Sequence, residues 1–193
     1  MVFLKQGSQP RVVKLFIITS LTFTQKTGMS PKTSDPQFVK QVFLHHLNRL
    51  YFGKQYISKT IGSLIELASF NSLKLALQEF GDDINSQIKR MAVIYELIEE
   101  TPSDANCNPI KAIVKDKFCL DDAQPVSVLL DTDVLLYVQM LEHINIISCR
   151  MLKALSVQLD DKEIEQLLIE CFDESIDNDQ LFLLITKEYI NLD

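Results

Sequence analysis

Leu73, Leu77, Phe80, Ile84, Ile88, Met91, Tyr95 and Ile98 recur at steps of three and four, the spacing that lays side chains along one face of an α-helix. A helix this long needs partners of similar length against which to bury its stripe. Three further segments supply them. In "SDPQFVKQVFLHHLNRLY" and the residues after it, Val39, Phe43, Leu47, Leu50 and Ile57 share a face, and Lys54 lies on that same face. Asp35 is placed to cap this first helix, and Pro36 falls in the first turn, where its missing N–H is harmless. The second helix is predicted from near Asn71 to about Glu100, where "ETPSDANCNP" stops it with two prolines and a cluster of turn formers.

The third helix is predicted from about Val126 to Val157, with Val134, Val138, Leu141, Ser148, Leu152 and Leu155 on one face together with Asn145. The fourth opens with "LDDKEIEQLL", where Asp160 is expected to cap and Glu163 to close a capping box. Its stripe passes through Leu167, Cys171, Glu174 or Ser175, Asn178 and Phe182. Residues 101–124 are too long for a tight helical hairpin and contain one short amphipathic piece, "PIKAIVKDKFCL". The pattern describes an all-α, four-helix bundle with a long crossover between helices 2 and 3 that carries a short helix.

Composition agrees with this and removes several function classes. With 193 residues, 47% of them apolar, and only five glycines, the chain can bury one sizeable core. A formal charge of −7 argues against general nucleic-acid binding, which draws its affinity from clustered Lys and Arg. No phosphate-cradling glycine loop or serine nucleophile elbow is present. Cys107, Cys119, Cys149 and Cys171 lack C-x-x-C spacing and read as free thiols, at least two of them buried, which suits a cytoplasmic protein.

The charge divides the chain. Residues 1–28 contain Lys5, Arg11, Lys14 and Lys26 and no acid, so they carry +4 and leave −11 for the rest. Residues 1–34 are therefore set apart as an N-terminal extension from a bundle domain at 35–193. Three readings stay open for the first 28 residues: translated sequence upstream of a natural start at Met29, a secretory signal or interfacial anchor, or a disordered arm. The apolar run "VVKLFIITSLTF" is too short to span a bilayer, so no membrane partner is expected unless that segment is a signal or anchor.

Polar residues interrupt every inner stripe: Lys54; Asp83 and Gln87; Glu142, His143 and Asn145; Glu174 and Ser175. Four-helix bundles that house two metal ions place carboxylates and imidazoles in such positions. This set has three carboxylates, one histidine and a lysine, so the place is right and the chemistry is incomplete. His45 and His46 are adjacent, point to different helix faces and cannot form an i, i+4 metal pair.

The segments "LNRLYFGKQYI", "LQEFGDDINSQIKRMAVIYELIEETP", "NCNPIKAIV", "LEHINIISCRMLKAL" and "ECFDESIDNDQLFLLI" follow one another in an order and spacing that resembles the YciE/YciF family of ferritin-like bacterial stress-response proteins, over roughly residues 38–190. The resemblance implies a ferritin-like bundle, a bacterial cytoplasmic protein and a homodimer. It also exposes departures. Lys54 stands where the family usually has Glu, and Phe80 where it has His. Ile144 and Asn145 replace Tyr and Glu, and the paired acids followed by Lys become Glu174, Ser175 and Ile176.

These losses fall on the polar centre. The expectation is therefore a degenerate dimetal site, no cofactor and a non-enzymatic, stress-associated role. The alternative is a residual mono- or dinuclear iron or manganese site, built from Asp83, Glu142, His143 and Glu174 and acting in iron handling or peroxide defence. For Lys54 two readings stand side by side: an ammonium that replaces the lost metal charge and pairs with Glu142, Asp83 or Glu174, or an edge residue that reaches out to water.

Overall fold

The computed structural model describes residues 35–115, 120 and 124–190. The expectations about residues 1–34 lie outside that range, as does Cys119. Among the described residues every regular element is helical: α1 (Pro36–Leu67), α2 (Asn71–Leu97), a short α3 (Pro109–Lys115), α4 (Ser127–Ser156), a 3-10 turn at Val157–Leu159, and α5 (Lys162–Ile190). The four long helices form a ferritin-like bundle, and α3 sits in the crossover as the sequence predicts.

Local chemistry sets most of the boundaries. The Asp35 carboxylate accepts from the Gln37 amide at 3.0 Å and Pro36 opens α1, satisfying one of the unpaired donors at a helix start. α2 ends three residues before the expected Glu100. Glu99 turns left-handed at φ 55°, and the Glu100 amide reaches back to the Tyr95 carbonyl at 3.0 Å, which closes the helix before the prolines act. Asn108 caps α3 by accepting from the Ile110 amide at 3.0 Å, and its own amide donates to the Arg49 carbonyl at 2.7 Å, pinning the crossover to α1.

The cap of α5 corrects the expected one. Asp161, rather than Asp160, accepts from the Glu163 and Ile164 amides at 2.9 and 3.1 Å. Asp160 instead adopts the left-handed conformation, at φ 54°, that ends the preceding turn. Both residues are acidic, so composition did not distinguish them. Only the backbone reversal does.

α1 packs against α2 and α4, and α5 packs against α2 and α4. The hydrogen bonds Tyr95 Oη to Asn48 (2.8 Å) and Ser58 to Asn85 (2.6 Å) show that α1 and α2 run antiparallel. Asp131, near the start of α4, lies at the end of α1, so those two helices are antiparallel as well.

The inner faces form two apolar clusters rather than one. The first gathers Ile57, Leu64, Leu77, Phe80, Ile84, Val138, Leu141 and Phe182, and the second Phe43, Leu47, Leu50, Met91, Ile94, Cys149, Leu168 and Cys171. On α4 the expected Ser148 is only half-buried, and Cys149 takes the inward place; on α5 Leu168 does the same for Leu167. In each case the neighbour one position on sits nearer the middle of the buried arc.

Candidate functional site

Between the two apolar clusters every long helix turns a polar residue inward: Lys54 from α1, Gln87 from α2, Glu142 and Asn145 from α4, and Ser175 from α5. All five are fully buried, at 0% exposure. They share a level because the contacts around them bracket it. Asn178 donates to Asp83 at 3.1 Å one turn to one side of Gln87 and Ser175, and Arg90 holds Glu174 at 2.7 Å on the other.

The layer is poorly paired within the protein. Asn145 Nδ2 donates to Glu142 Oε1 at 3.1 Å. Lys54 Nζ, both amide atoms of Gln87, Glu142 Oε2, Asn145 Oδ1 and Ser175 Oγ have no protein hydrogen-bond partner. Lys54 therefore lies inside the bundle and does not reach water at its edge, and it acts as a nearby charge rather than a bonded partner. Burial pushes the Glu142 carboxyl up to about 7, against the opposing pull of the Lys54 charge, the Asn145 amide and the Ser175 hydroxyl, which faces the carboxyl without closing a well-aligned bond. The desolvation of a carboxylate outweighs one cation close by.

Two thiols flank this layer on the side of the second cluster. Burial pushes Cys149 up to about 12 and Cys171 up to about 11, although Lys54 pulls both down. Both are unbonded thiols, as expected, while Cys107 is exposed.

Of the residual ligand candidates, only Glu142 reaches the centre. Asp83 is half-buried on the seam between α2 and α5; burial raises its carboxyl and the Asn178 hydrogen bond works against that. Glu174 turns along the same seam into an ion pair with Arg90, which also holds Glu170 at 2.9 Å. His143 points outward, with a side chain 65% exposed and 3.4 Å from Asp179. Phe80, buried on α2, makes an edge-to-face contact with Phe182, ring centroids 5.6 Å apart. His45 and His46 are half-buried and stand edge to face on the outer side of α1. Among the described residues no three of the His, Cys, Asp and Glu side chains gather in a group suited to a metal ion.

Sequence reasoning missed Asp131. Its fully buried carboxylate accepts from the Ser69 amide (2.8 Å), the Phe70 amide (3.2 Å), the Ser69 hydroxyl and the Tyr189 hydroxyl (2.8 Å). One side chain thus ties the α1–α2 turn, α4 and α5 together. The available signal was a pair of acids, Asp131 and Asp133, inside the otherwise apolar "SVLLDTDVLLYV".

The family model described as "Domain of unknown function (DUF892)" matches residues 39–193. The chain belongs to this family. The DUF892 protein superposes on the E. coli stress protein YciF with a TM-score of 0.74 and 19% identity, covering 80% of this chain and 98% of that one. YcfI from Rhodopseudomonas palustris gives a TM-score of 0.71 and 23% identity over 78% and 96%. At these identities the two likenesses speak for the fold. No curated protein matches the sequence. Among the described residues no helix of this DUF892 chain is long and apolar enough to cross a membrane.

Proposed function

We propose that this DUF892 member is a non-enzymatic, stress-associated protein, cytoplasmic and homodimeric, in which a lysine-centred polar layer occupies the place of a dimetal site. The observation that carries the reading is Lys54, fully buried between two apolar clusters with its ammonium facing the centre. A pair of divalent ions requires several carboxylates and imidazoles to converge and share their charge. Here one buried carboxylate, Glu142, stands alone, a fixed cation sits beside it, and the family's His position holds Phe80. An ammonium has no lone pair to donate and repels an incoming ion. This donor set does not fit two metals.

The stress association rests on the likeness to YciF, a stress protein of E. coli. The test is metal content per chain, by elemental analysis of the full-length protein after exposure to Fe(II), Mn(II) or Zn(II) and desalting. The expected result is a trace level that Glu142→Ala leaves unchanged. One or two ions per chain, lost in Glu142→Ala, would overturn the proposal in favour of an iron or manganese protein, and peroxide turnover would then be the assay to run.

A further inference from the structure

The crossover leaves a trough on α1. Asn108 ties the start of α3 to the Arg49 carbonyl at 2.7 Å, and Ile110 packs on Gly53, where an added Cβ would lie 2.6 Å from Ile110 Cδ1. α3 therefore sits tight on α1 at its first turn and ends at Lys115, while α1 runs on to Leu67. Beyond that close contact a cavity of about 690 Å³ opens between the two helices, a volume in the range of sites that take small organic molecules.

The walls determine what fits. Leu64, Leu67 and Val114 line the cavity with hydrocarbon. Thr60 and Ser63 line it too, but the Thr60 hydroxyl donates to the Tyr56 carbonyl at 2.8 Å and the Ser63 hydroxyl to the Thr60 carbonyl at 2.7 Å. The Tyr56 hydroxyl is given to Asp104. With these protons already used, the α1 wall has none to offer a sugar or other polyol, and it matches an apolar chain. From Tyr56 to Leu67 it runs about 16 Å along the helix, room for an extended alkyl chain.

Positive charge gathers around Tyr56 and α3. Lys111 and Lys115 line the cavity; the Lys111 ammonium lies 4.6 Å from the centre of the Tyr56 ring, and that of Lys59 6.0 Å from it. Asp104 pairs with Lys111 at 3.3 Å. Three lysines thus cluster on a chain whose residues 29–193 carry −11. Glu66, the acid on the cavity wall, stands beside Leu67. An anionic head at the lysines with its tail toward Leu67 follows both the charge and the hydrocarbon, and the reverse orientation sets like charges together.

We propose that this trough binds a free long-chain carboxylic acid, its carboxylate held by Lys111 and Lys115 and its alkyl chain lying along α1 toward Leu67.

The test is calorimetric titration of the full-length protein at pH 8 with laurate, kept below its micellar concentration, and with dodecyltrimethylammonium as a probe of equal chain length and opposite charge. Laurate is expected to saturate at one per chain and to bind at least tenfold more tightly than the cation. Thr60→Phe, which fills the trough, and Leu67→Glu, an exposed change at the tail end, are each expected to weaken laurate at least tenfold with unchanged helical circular dichroism. Lys111→Glu combined with Lys115→Glu is expected to reverse the preference between the two probes, which a loss of packing alone does not do. Equal affinity of the wild type for both probes, or no saturation, would overturn the carboxylate ligand. Laurate binding indifferent to Thr60→Phe and Leu67→Glu would overturn the site. Flotation with phosphatidylserine vesicles is expected to leave the protein behind; co-flotation without laurate uptake would make the trough a membrane contact and overturn the free acid. No laurate uptake, together with a mass that halves in Leu67→Glu, would show a second copy covering the trough and overturn the proposal as well.

Discussion

Replacing Glu142 by Gln separates two accounts of the polar layer, because they predict opposite signs. If Lys54 and Glu142 form a buried ion pair on which the bundle depends, removing one charge strands the other and costs about 3–5 kcal/mol. The geometry argues the reverse. Burial raises the Glu142 carboxyl from 4.5 to about 7 even with Lys54 beside it, so the folded protein prefers the neutral acid. Between those values the folded state binds a proton that the unfolded chain releases, and stability falls as pH rises. The contribution is complete below pH 4.5 and lost above about pH 7. At roughly 1.4 kcal/mol per tenfold change in affinity, the raised value corresponds to about 3 kcal/mol.

Gln resembles the protonated acid in shape and charge. Glu142→Gln should therefore match the wild type near pH 4.5 and exceed it by about 3 kcal/mol at pH 8. Urea unfolding followed by helical circular dichroism, at one fixed chain concentration, gives this directly as a midpoint shift of roughly 1 M or more that grows between pH 4.5 and pH 7. Taking the difference between the two proteins cancels groups common to both, such as Asp83. A variant less stable than the wild type at pH 8, or a difference constant with pH, would refute the argument that desolvation outweighs the lysine.

Asp131→Ala should cost about 3 kcal/mol in the same assay, because it removes a buried acceptor of four hydrogen bonds and strands two backbone amides at the α1–α2 turn; a loss below about 1 kcal/mol would show that the turn holds without it. Gly62→Ala should stabilise by about 0.5–1 kcal/mol, since a Cβ there meets nothing within 4 Å and helix propensity alone improves. Gly53→Ala should instead destabilise by about 1–2 kcal/mol, because its Cβ would lie 2.6 Å from Ile110 Cδ1 and press α3 off α1; equal effects at the two glycines would refute close packing of the crossover. Cys149 and Cys171, raised to about 12 and about 11 by burial, should resist a thiol reagent at pH 8 in the folded protein and react once unfolded. Peptide mapping after alkylation reads this residue by residue.

The helices were legible because each is long, and periodicity over many turns leaves one solution. Lys54 on the stripe between Leu50 and Ile57 put a charge on the inner face but left open whether it would enter the core or reach water at its edge. Its neighbours were harder to place. His143 follows Glu142 by one residue, which on a helix is a rotation of about 100°, enough to carry one side chain to the centre and the other to the surface. Glu174 and Ser175 pose the same choice, and it fell to Ser175, since Arg90 across the seam offered Glu174 a solvated partner. A sequence lists both members of such a pair. The neighbouring helix decides which one points inward.

That division explains how the bundle can keep its architecture while the chemistry at its centre drifts. The two apolar clusters hold the helices together from either end, so the residues between them are not the main source of cohesion. A polar layer at this level costs stability relative to an apolar one, yet it restricts register. Sliding a helix by one turn would bring Lys54 or Glu142 against Ile84, Leu141 or Met91 and leave a charge among hydrocarbon, at a cost of several kcal/mol. Gathering Lys54 and Glu142 at one level leaves one register in which these polar groups face others of their kind. The layer then selects the arrangement that the apolar clusters stabilise, and this selective effect operates whatever chemistry the layer performs.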